Sequence, residues 1–189
     1  MKLISVNNKD AIKIASDVIH QGGVIVYPTD TLYGFGVDAR NKSAIKKLNN
    51  IKRRKTPISV IVWSVDTLYS WSSIADSEFK KAKKIVLESN TIIIPIKDNI
   101  VNNSILADDG SLGVRMPHHN FPIDLCKNLQ FPITTTSVNR AGEDSLNDPK
   151  LIGNKFNDEI DLIIDAGIMP KSKGSSIYKL VNSKLMLIR

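Results

Sequence analysis

The chain has 189 residues, of which 42% are hydrophobic and 24% are charged, a balance that supports one sizeable core and excludes a largely disordered chain. We therefore expect one domain over residues 1–189. The 26 basic side chains outnumber the 19 acidic ones, and the net charge of +7 favours polyanionic partners such as nucleotides, RNA or acidic lipid. A disulfide framework is excluded, because Cys126 is the only cysteine.

The first residues, MKLISVN, are too short an apolar run for a signal peptide. No stretch approaches the roughly 18 apolar residues of a membrane span. These features predict a reducing, cytoplasmic setting and no membrane partner.

Hydrophobic periodicity alternates between helical and strand spacing, which is typical of an α/β domain on a sizeable sheet. In chain order it predicts a helix over 10–21, a strand over 24–27, a helix over 43–51 and a strand over 58–63. It continues with a helix over 76–88, strands over 91–96 and 112–116, a helix over 123–129, and strands over 133–136, 162–164, 176–180 and 185–189.

The segment after the first predicted strand is the most informative part of the chain. The apolar run VIVYP leads into Thr29, Asp30 and Thr31, and then into LYGFGVDA. Because α/β proteins present ligand groups where strands end, we expect a binding loop over residues 29–39. A simple turn or helix cap is the alternative. The G-F-G run lacks the third glycine of a dinucleotide fingerprint.

Four further polar clusters lie at predicted strand ends, namely residues 52–55 (KRRK), 111–117 (SLGVRMP), 134–139 (TTTSVN) and 174–176 (GSS). Hydroxyl donors, backbone amides and fixed cations suit a phosphate-bearing ligand. Each cluster also has a structural explanation. The basic run is typical of a solvated helix end, the threonines are typical of a strand, and Arg115 needs an ion pair if it has no site role.

Other reactive residue types carry weaker signals. His118 and His119 are adjacent and lack a third ligand, so we interpret them as loop residues rather than a zinc site. Cys126 lies on an apolar helix face and is expected to be a core thiol. Asp108, Asp109 and Gly110 read as a turn, with a water-mediated magnesium contact as the alternative.

Taken in order, five motifs resemble those of the YrdC-like family. They are residues 27–34, the Lys52-x-Arg54 pair before 57–60, residues 113–117, residues 136–139 with Gly142, and residues 174–177. The resemblance covers about residues 11–189. It implies a twisted mixed sheet, flanked by helices, around a large basic concave cavity. It also implies a nucleotidyltransferase that converts L-threonine, bicarbonate and ATP to threonylcarbamoyl-adenylate and pyrophosphate, for delivery to a tRNA threonylcarbamoyl transferase.

The resemblance also implies roles for individual residues. Threonine contacts are expected from Thr31, Arg115, Thr135 and Ser175, and ATP contacts from Lys52, Arg54, Ser111, Ser137, Asn139, Ser145 and Arg189. Lys52, Arg54 and Arg115 are the expected catalytic groups, and Mg²⁺ is expected to accompany ATP.

The chain departs from the family pattern at three places. The Lys-x-Arg loop is two residues shorter and has Lys55 in place of a proline, Glu88-Ser89-Asn90 stands where relatives have Pro-Gly-Pro, and Val138 replaces an alanine.

Two alternatives remain open from the sequence. The basic charge also fits a double-stranded RNA or tRNA-binding module of the same fold without synthase activity. A carbamoyl-transferring domain of the hydrogenase maturation type is disfavoured, since those domains sit in longer chains with zinc fingers.

Overall fold

The fold is given by a computed structural model that describes residues 1–54 and 57–189. The strands are β1 (Lys2–Ser5), β2 (Ile25–Pro28), β3 (Tyr33–Gly36), β4 (Ser59–Ile61), β5 (Thr91–Pro95), β6 (Ser111–Arg115), β7 (Thr134–Ser137), β8 (Leu162–Asp165), β9 (Ile177–Val181) and β10 (Lys184–Leu187). The helices are α1 (Ala11–His20), α2 (Lys42–Lys52), α3 (Val65–Trp71), α4 (Asp76–Leu87), α5 (Asn120–Leu129) and α6 (Pro149–Phe156), with a 3₁₀ turn at Asn103–Ile105. The predicted α/β class is confirmed.

The strands of the described residues form one mixed sheet in the order β1-β8-β2-β3-β7-β4-β6-β5-β9-β10. Parallel pairing joins β8 to β1 and β2, β4 to β6, and β5 to β9. The other neighbours are antiparallel. As a result, β7 connects the two halves of the sheet.

The side chains of β2 and of the residue before it point alternately into two separate hydrophobic cores. Val24 and Val26 pack on one face with α2, α4 and α6, whereas Ile25 and Tyr27 pack on the other with α1 and α5. Side chains of a strand point alternately to opposite faces, so a continuous apolar run is required when both faces are covered. The run VIVY satisfies that requirement.

Besides β3, one further strand and two helices were not predicted from the sequence. Strand β1 is mostly exposed and forms because it pairs with β8. Helix α3 has only seven residues, and its start is stabilised by the Ser64 side chain. Helix α6 begins with Pro149 after an Asp148 cap, a start signal that the sequence analysis passed over.

The prediction of a loop over residues 29–39 was wrong for residues 33–36, since Tyr33–Gly36 is a fully buried strand. Glycine disfavours strands because it leaves the sheet face uncovered. Here the ring of Tyr27 on the paired strand covers both glycines. A Cβ built on Gly36 would lie 2.7 Å from Tyr27 Cε1, and one on Gly34 would lie 3.4 Å from Tyr27 Cζ.

Within residues 1–54 and 57–189, no helix combines the length and apolar character needed to cross a membrane.

Helix α6 offers a direct test of this packing. Phe156 is fully buried and meets Phe35 edge-on at 5.2 Å, whereas Leu151 on the same helix is 53% exposed. We expect Phe156→Ala to lower the free energy of unfolding in urea by about 3–5 kcal/mol, because it leaves a cavity. The control Leu151→Ala should stay within about 0.5 kcal/mol of the wild type. Equal losses for the two variants would contradict the placement of α6.

Candidate active site

A polar cavity of about 560 Å³ opens where the β2–β3 turn, the end of β6 and the chain after β7 meet. Its volume lies within the roughly 300–1,000 Å³ common for small-molecule sites. Nine of the eleven predicted site residues line it, namely Thr31, Arg54, Arg115, Thr135, Ser137, Asn139, Ser145, Ser175 and Arg189. The fold therefore gathers side chains that are up to 158 positions apart, from 31 to 189.

Arg115 is the most buried of the cationic residues that line the cavity, with only 5% of its surface exposed. Its Nη2 donates to Asp30 Oδ1 at 2.9 Å and to Thr31 Oγ1 at 3.2 Å, and its Nε donates to the Ser89 carbonyl at 3.1 Å. Burial lowers the pKa of Arg115, and the charge of Asp30 opposes this effect. The two explanations offered for Arg115, that it forms an ion pair and that it is a site residue, are therefore compatible.

Asp30 and Ser89 are members of this cluster that the sequence analysis did not select as site residues. Ser89 Oγ donates to Asp30 Oδ2 at 2.5 Å and accepts from the His118 amide at 3.2 Å. Ser89 has φ of 58°, a left-handed conformation, and it stands in the segment that replaces Pro-Gly-Pro. A glycine would adopt this conformation more easily than a serine does. The backbone is therefore strained at Ser89, where the serine hydroxyl bonds the Asp30 carboxylate. No local sequence signal identifies such a residue.

The Thr29–Leu32 segment is a tight turn as well as a wall of the cavity. Thr29 Oγ1 donates to the Leu32 carbonyl at 2.7 Å and accepts from the amides of Thr31 and Leu32 at 3.2 Å. Thr29 is 3% exposed, so its hydroxyl is committed to the turn. The hydroxyl of Thr31 is consequently held facing Arg115.

Further hydroxyl side chains line the same cavity from other parts of the fold. Ser175 Oγ lies 3.0 Å from Thr91 Oγ1, and both residues line the cavity. Thr135 lies on β7, paired with Ser59 of β4, and it also lines the cavity. Hydroxyls that both donate and accept suit a ligand with mixed polar groups.

Arg54 and Arg189 supply two further positive charges. Arg54 Nη2 donates to Thr136 Oγ1 at 2.9 Å, and Arg189 Nη2 donates to the Ser175 carbonyl at 3.2 Å. The charge of Arg189 lowers the pKa of both Arg54 and Arg115, although burial is the larger cause for each. The positive charges of these arginines repel one another, and a bound anion would reduce that repulsion. The basic run continues into Lys55, which lies outside the described residues.

Lys52 is not among the residues that line the cavity. It is 1% exposed, and its Nζ donates to the Ser137 carbonyl and to Asn139 Oδ1, both at 2.6 Å. Burial and the nearby charge of Arg54 lower its pKa to about 7. The geometry does not bring Lys52 into the cavity, because its Nζ is bonded to Ser137 and Asn139, so the expected ATP-phosphate contact stays a prediction.

Ser111 also lies away from the cavity. It occupies the opposite end of β6 from Arg115, and its Oγ donates to Asp109 Oδ1 at 2.5 Å. The expected nucleotide contact therefore lacks a place in this geometry. Asp109 also pairs with Lys179, and both partners lower the pKa of its carboxyl. The turn predicted at residues 108–110 is confirmed, with Gly110 at φ of 74°.

The remaining reactive side chains have structural roles. Cys126 is fully buried, and burial raises its pKa to about 12, which confirms the interpretation as a core thiol. His119 Nδ1 accepts from the Phe121 amide at the start of α5. Val138, the replacement for alanine, is fully buried in the core shared with α2.

These features define a class of protein, an α/β domain whose mixed sheet carries an arginine-rich cavity with the charge and size to suit an anionic small molecule. A family model for Sua5, YciO and YrdC domains, described as "Telomere recombination", matches residues 17–189. The chain belongs to the Sua5/YciO/YrdC family.

Two curated relatives extend this result. A Methanocaldococcus jannaschii protein, provisionally named a threonylcarbamoyl-AMP synthase, is 30% identical over 195 residues, covering 100% of this chain and 91% of the relative. The threonylcarbamoyl-AMP synthase of Hydrogenovibrio crunogenus is 31% identical over 151 residues, covering 70% and 74%.

Solved structures share the fold. P. abyssi Sua5 complexed with L-threonine has a TM-score of 0.84 at 26% identity, covering 94% of this chain. This chain spans only 53% of that protein. E. coli YciO has a TM-score of 0.87 at 23% identity, covering 100% of this chain and 92% of YciO.

The Arg115–Asp30 pair can be tested through stability. We expect Asp30→Asn to lower the free energy of unfolding by about 2 kcal/mol, because it leaves a buried guanidinium without its counter-charge. In a double-mutant cycle with Arg115→Met, the coupling energy should exceed about 1 kcal/mol. Asp124→Asn, which removes an exposed partner of Lys127, is the control and should change stability by less than about 0.5 kcal/mol. A coupling energy near zero would contradict the pair.

Lys52 predicts a pH dependence of stability. Its pKa in the folded protein, about 7, is below the ordinary 10.5, so the unfolded chain binds this proton more tightly. Protonation therefore favours unfolding, and the free energy of unfolding should rise as the pH increases from about 7 towards 10. Urea denaturation of the wild type and of Lys52→Met across this range isolates the effect. A difference between them that is independent of pH would refute it.

Proposed function

We propose that this chain is an L-threonylcarbamoyladenylate synthase, a nucleotidyltransferase that forms threonylcarbamoyl-AMP and pyrophosphate from L-threonine, bicarbonate and ATP. The observation that carries the proposal is the joint presence of Arg54, Arg115 and Arg189 along one hydroxyl-lined cavity. Three fixed cations suit a ligand pair that brings a carboxylate and a triphosphate together. The curated relatives named for this activity support the same conclusion.

We propose that Arg115 binds the carboxylate of threonine. Its contacts with Asp30, Thr31 and Ser89 fix the plane of the guanidinium, and they leave Nη1 with only a long 3.5 Å contact to Thr29 Oγ1. An arginine carries five N–H donors, so Nη1 retains capacity for a ligand oxygen. The surrounding hydroxyls of Thr31, Thr135 and Ser175 can bond the ammonium and side-chain hydroxyl of the amino acid. The P. abyssi Sua5 structure is a complex with L-threonine, which supports threonine as the amino acid substrate.

The reaction requires no protein nucleophile. The threonine amine and bicarbonate combine to a carbamate with loss of water, and a carbamate oxygen then attacks the α-phosphorus of ATP. The bond from that phosphorus to the bridging oxygen breaks, and pyrophosphate leaves. The protein must align three substrates and stabilise the charge on the phosphates, contributions worth several kcal/mol in other enzymes, roughly 3–4 kcal/mol for one well-placed donor. Arg54 and Arg189 are suited to the second task.

Mg²⁺ is proposed to arrive with ATP. Glu143 and Asp144 line the cavity and are exposed. In the described part of the chain, no group of three or more His, Cys, Asp or Glu side chains could hold a metal ion. This donor set fits Mg²⁺, which keeps several waters and binds through substrate phosphates and one or two carboxylates. The ion would neutralise charge on the phosphates.

The product determines the kind of partner. Threonylcarbamoyl-AMP is a mixed anhydride that water can hydrolyse, so a transferase must consume it promptly. We propose that a tRNA threonylcarbamoyl transferase is that partner. The alternative, an RNA-binding module without synthase activity, would leave the arginine-lined cavity without a small-molecule role.

The proposal is tested by incubating the protein with ATP, Mg²⁺ and bicarbonate, together with L-threonine, L-serine, L-valine or no amino acid. We expect pyrophosphate release and an AMP-linked product, detected by mass spectrometry, that depend on both L-threonine and bicarbonate. If the protein binds RNA in a salt-dependent manner but forms no such product, the synthase is refuted and the module is favoured.

Arg115→Gln should lower kcat/KM for threonine at least 100-fold, because it removes a charge-assisted contact that is held in place before substrate binds. Arg40→Gln is the matched control. Arg40 is exposed, pairs with Asp38 and does not line the cavity, so its loss should leave kcat/KM within about twofold. Circular dichroism should confirm that both variants fold. Near-normal turnover of Arg115→Gln would remove this residue from the site.

A further inference from the structure

Lys52 is a cation that the proposed reaction does not use directly, and its environment is unusual. It is the last residue of α2 and is 1% exposed, although lysine is rarely buried. A buried ammonium costs several kcal/mol unless hydrogen bonds compensate for the loss of water. An apolar side chain would fill the same space without that cost. What distinguishes Lys52 from such a side chain is the set of hydrogen bonds that it makes.

Those bonds are directed at one segment, the β7–α6 loop (residues 138–148), and at Ser137 immediately before it. Lys52 Nζ donates to the Ser137 carbonyl and to Asn139 Oδ1, both at 2.6 Å. The carbonyl of Lys52 accepts from the Ala141 amide at 2.9 Å. One residue of α2 thus holds the start of the loop through both its side chain and its main chain.

Asn139 transmits this anchoring to the rest of the loop. Its Oδ1 also accepts from Ser137 Oγ at 2.7 Å, and its Nδ2 donates to the Glu143 carbonyl at 2.6 Å. A cation against one end of an amide fixes which end is oxygen, because only the oxygen can accept. Lys52 therefore sets the orientation of the Asn139 amide, and the amide in turn orders the loop as far as Glu143.

The same loop forms one wall of the cavity. Ser137, Asn139, Glu143, Asp144 and Ser145 all line it, whereas Lys52 does not. Direct contact with a ligand in the cavity is therefore available to these residues and not to Lys52.

We propose that Lys52 is a positioning residue, which acts on the synthase reaction by orienting Asn139 and the β7–α6 loop against the nucleotide rather than by contacting the phosphates. This inference rests on the proposed function for its catalytic consequence. Its structural half, the ordering of the loop, stands apart from any activity.

The first test is hydrogen exchange in the protein without substrates. Lys52→Met keeps the length of the side chain and removes the donors. We expect backbone amides of the β7–α6 loop to exchange at least tenfold faster, with no change in β6. Lys47→Met is the matched control, because Lys47 lies on the same helix, is exposed and pairs with Asp161. It should leave the loop unchanged. Unchanged exchange of the loop in Lys52→Met would overturn the proposal.

The second test is a double-mutant cycle on kcat/KM for ATP with Lys52→Met and Asn139→Ala. If Lys52 acts through Asn139, each single variant should lose at least tenfold, and the double variant should lose no more than twofold beyond the weaker single variant. The loss should lie in a raised KM for ATP, with the KM for threonine within twofold, whereas a smaller folded fraction would lower kcat and leave both KM values unchanged. Losses that multiply in the double variant would indicate a separate contact, such as one to phosphate, and would overturn the proposal.

If the wild-type protein forms no product, the proposed synthase activity is refuted, but the inference that Lys52 orders the loop is not. In that case the same cycle is measured on the dissociation constant for ATP by titration calorimetry. Two results would then contradict the positioning role. One is a loss of ATP affinity in the double variant that equals the product of the two single losses. The other is a loop that exchanges at the same rate in Lys52→Met and in the wild type.

Discussion

The need to hold a buried positive charge at the end of β6 organises the site. Arg115 can lie 5% exposed only because acceptors surround it, and these come from the β2–β3 turn and from Ser89, which precedes β5. A buried guanidinium without these partners would cost several kcal/mol. The interaction therefore ties three distant segments together and gives the cavity a rigid cationic end before any ligand binds. Ser89, in its left-handed conformation, connects Asp30 to the backbone that follows α4.

The two cations of the Lys-x-Arg pair divide their roles between the inside and the edge of the site. Arg54 lines the cavity with Arg189, whereas Lys52 is buried outside its lining and bonds Ser137 and Asn139. The mutual repulsion of Arg54 and Arg189 makes the cavity attractive to an anion, and the buried lysine orders the loop beside it. Electrostatic attraction and loop geometry thus come from neighbouring residues of one helix end.

Much of the fold followed from local pattern, and the exceptions have physical causes. The apolar runs of β2, β5 and β8 and the amphipathic spacing of α1 and α4 were sufficient to predict these elements, because burial on one or both faces leaves a periodic signal. Strand β3 was missed because its two glycines are covered by Tyr27, a contact that exists only after pairing. Ser89 was missed as a site residue for the same reason, since its partners Asp30 and Arg115 are 59 and 26 positions away.

Residue type and local spacing were enough to predict the α/β class and the core thiol at Cys126, and the resemblance of five ordered motifs to those of a known family implied the residues proposed for the site. These properties depend on periodicity and chemistry that each segment carries by itself. Which of those residues line the cavity was decided by folding. Lys52 and Arg54 are only two positions apart, but Arg54 lines the cavity and Lys52 is buried against Ser137 and Asn139. Ser111 and Arg115 lie at opposite ends of a single strand. The direction in which a side chain points is set by long-range packing, so it cannot be predicted from a short motif.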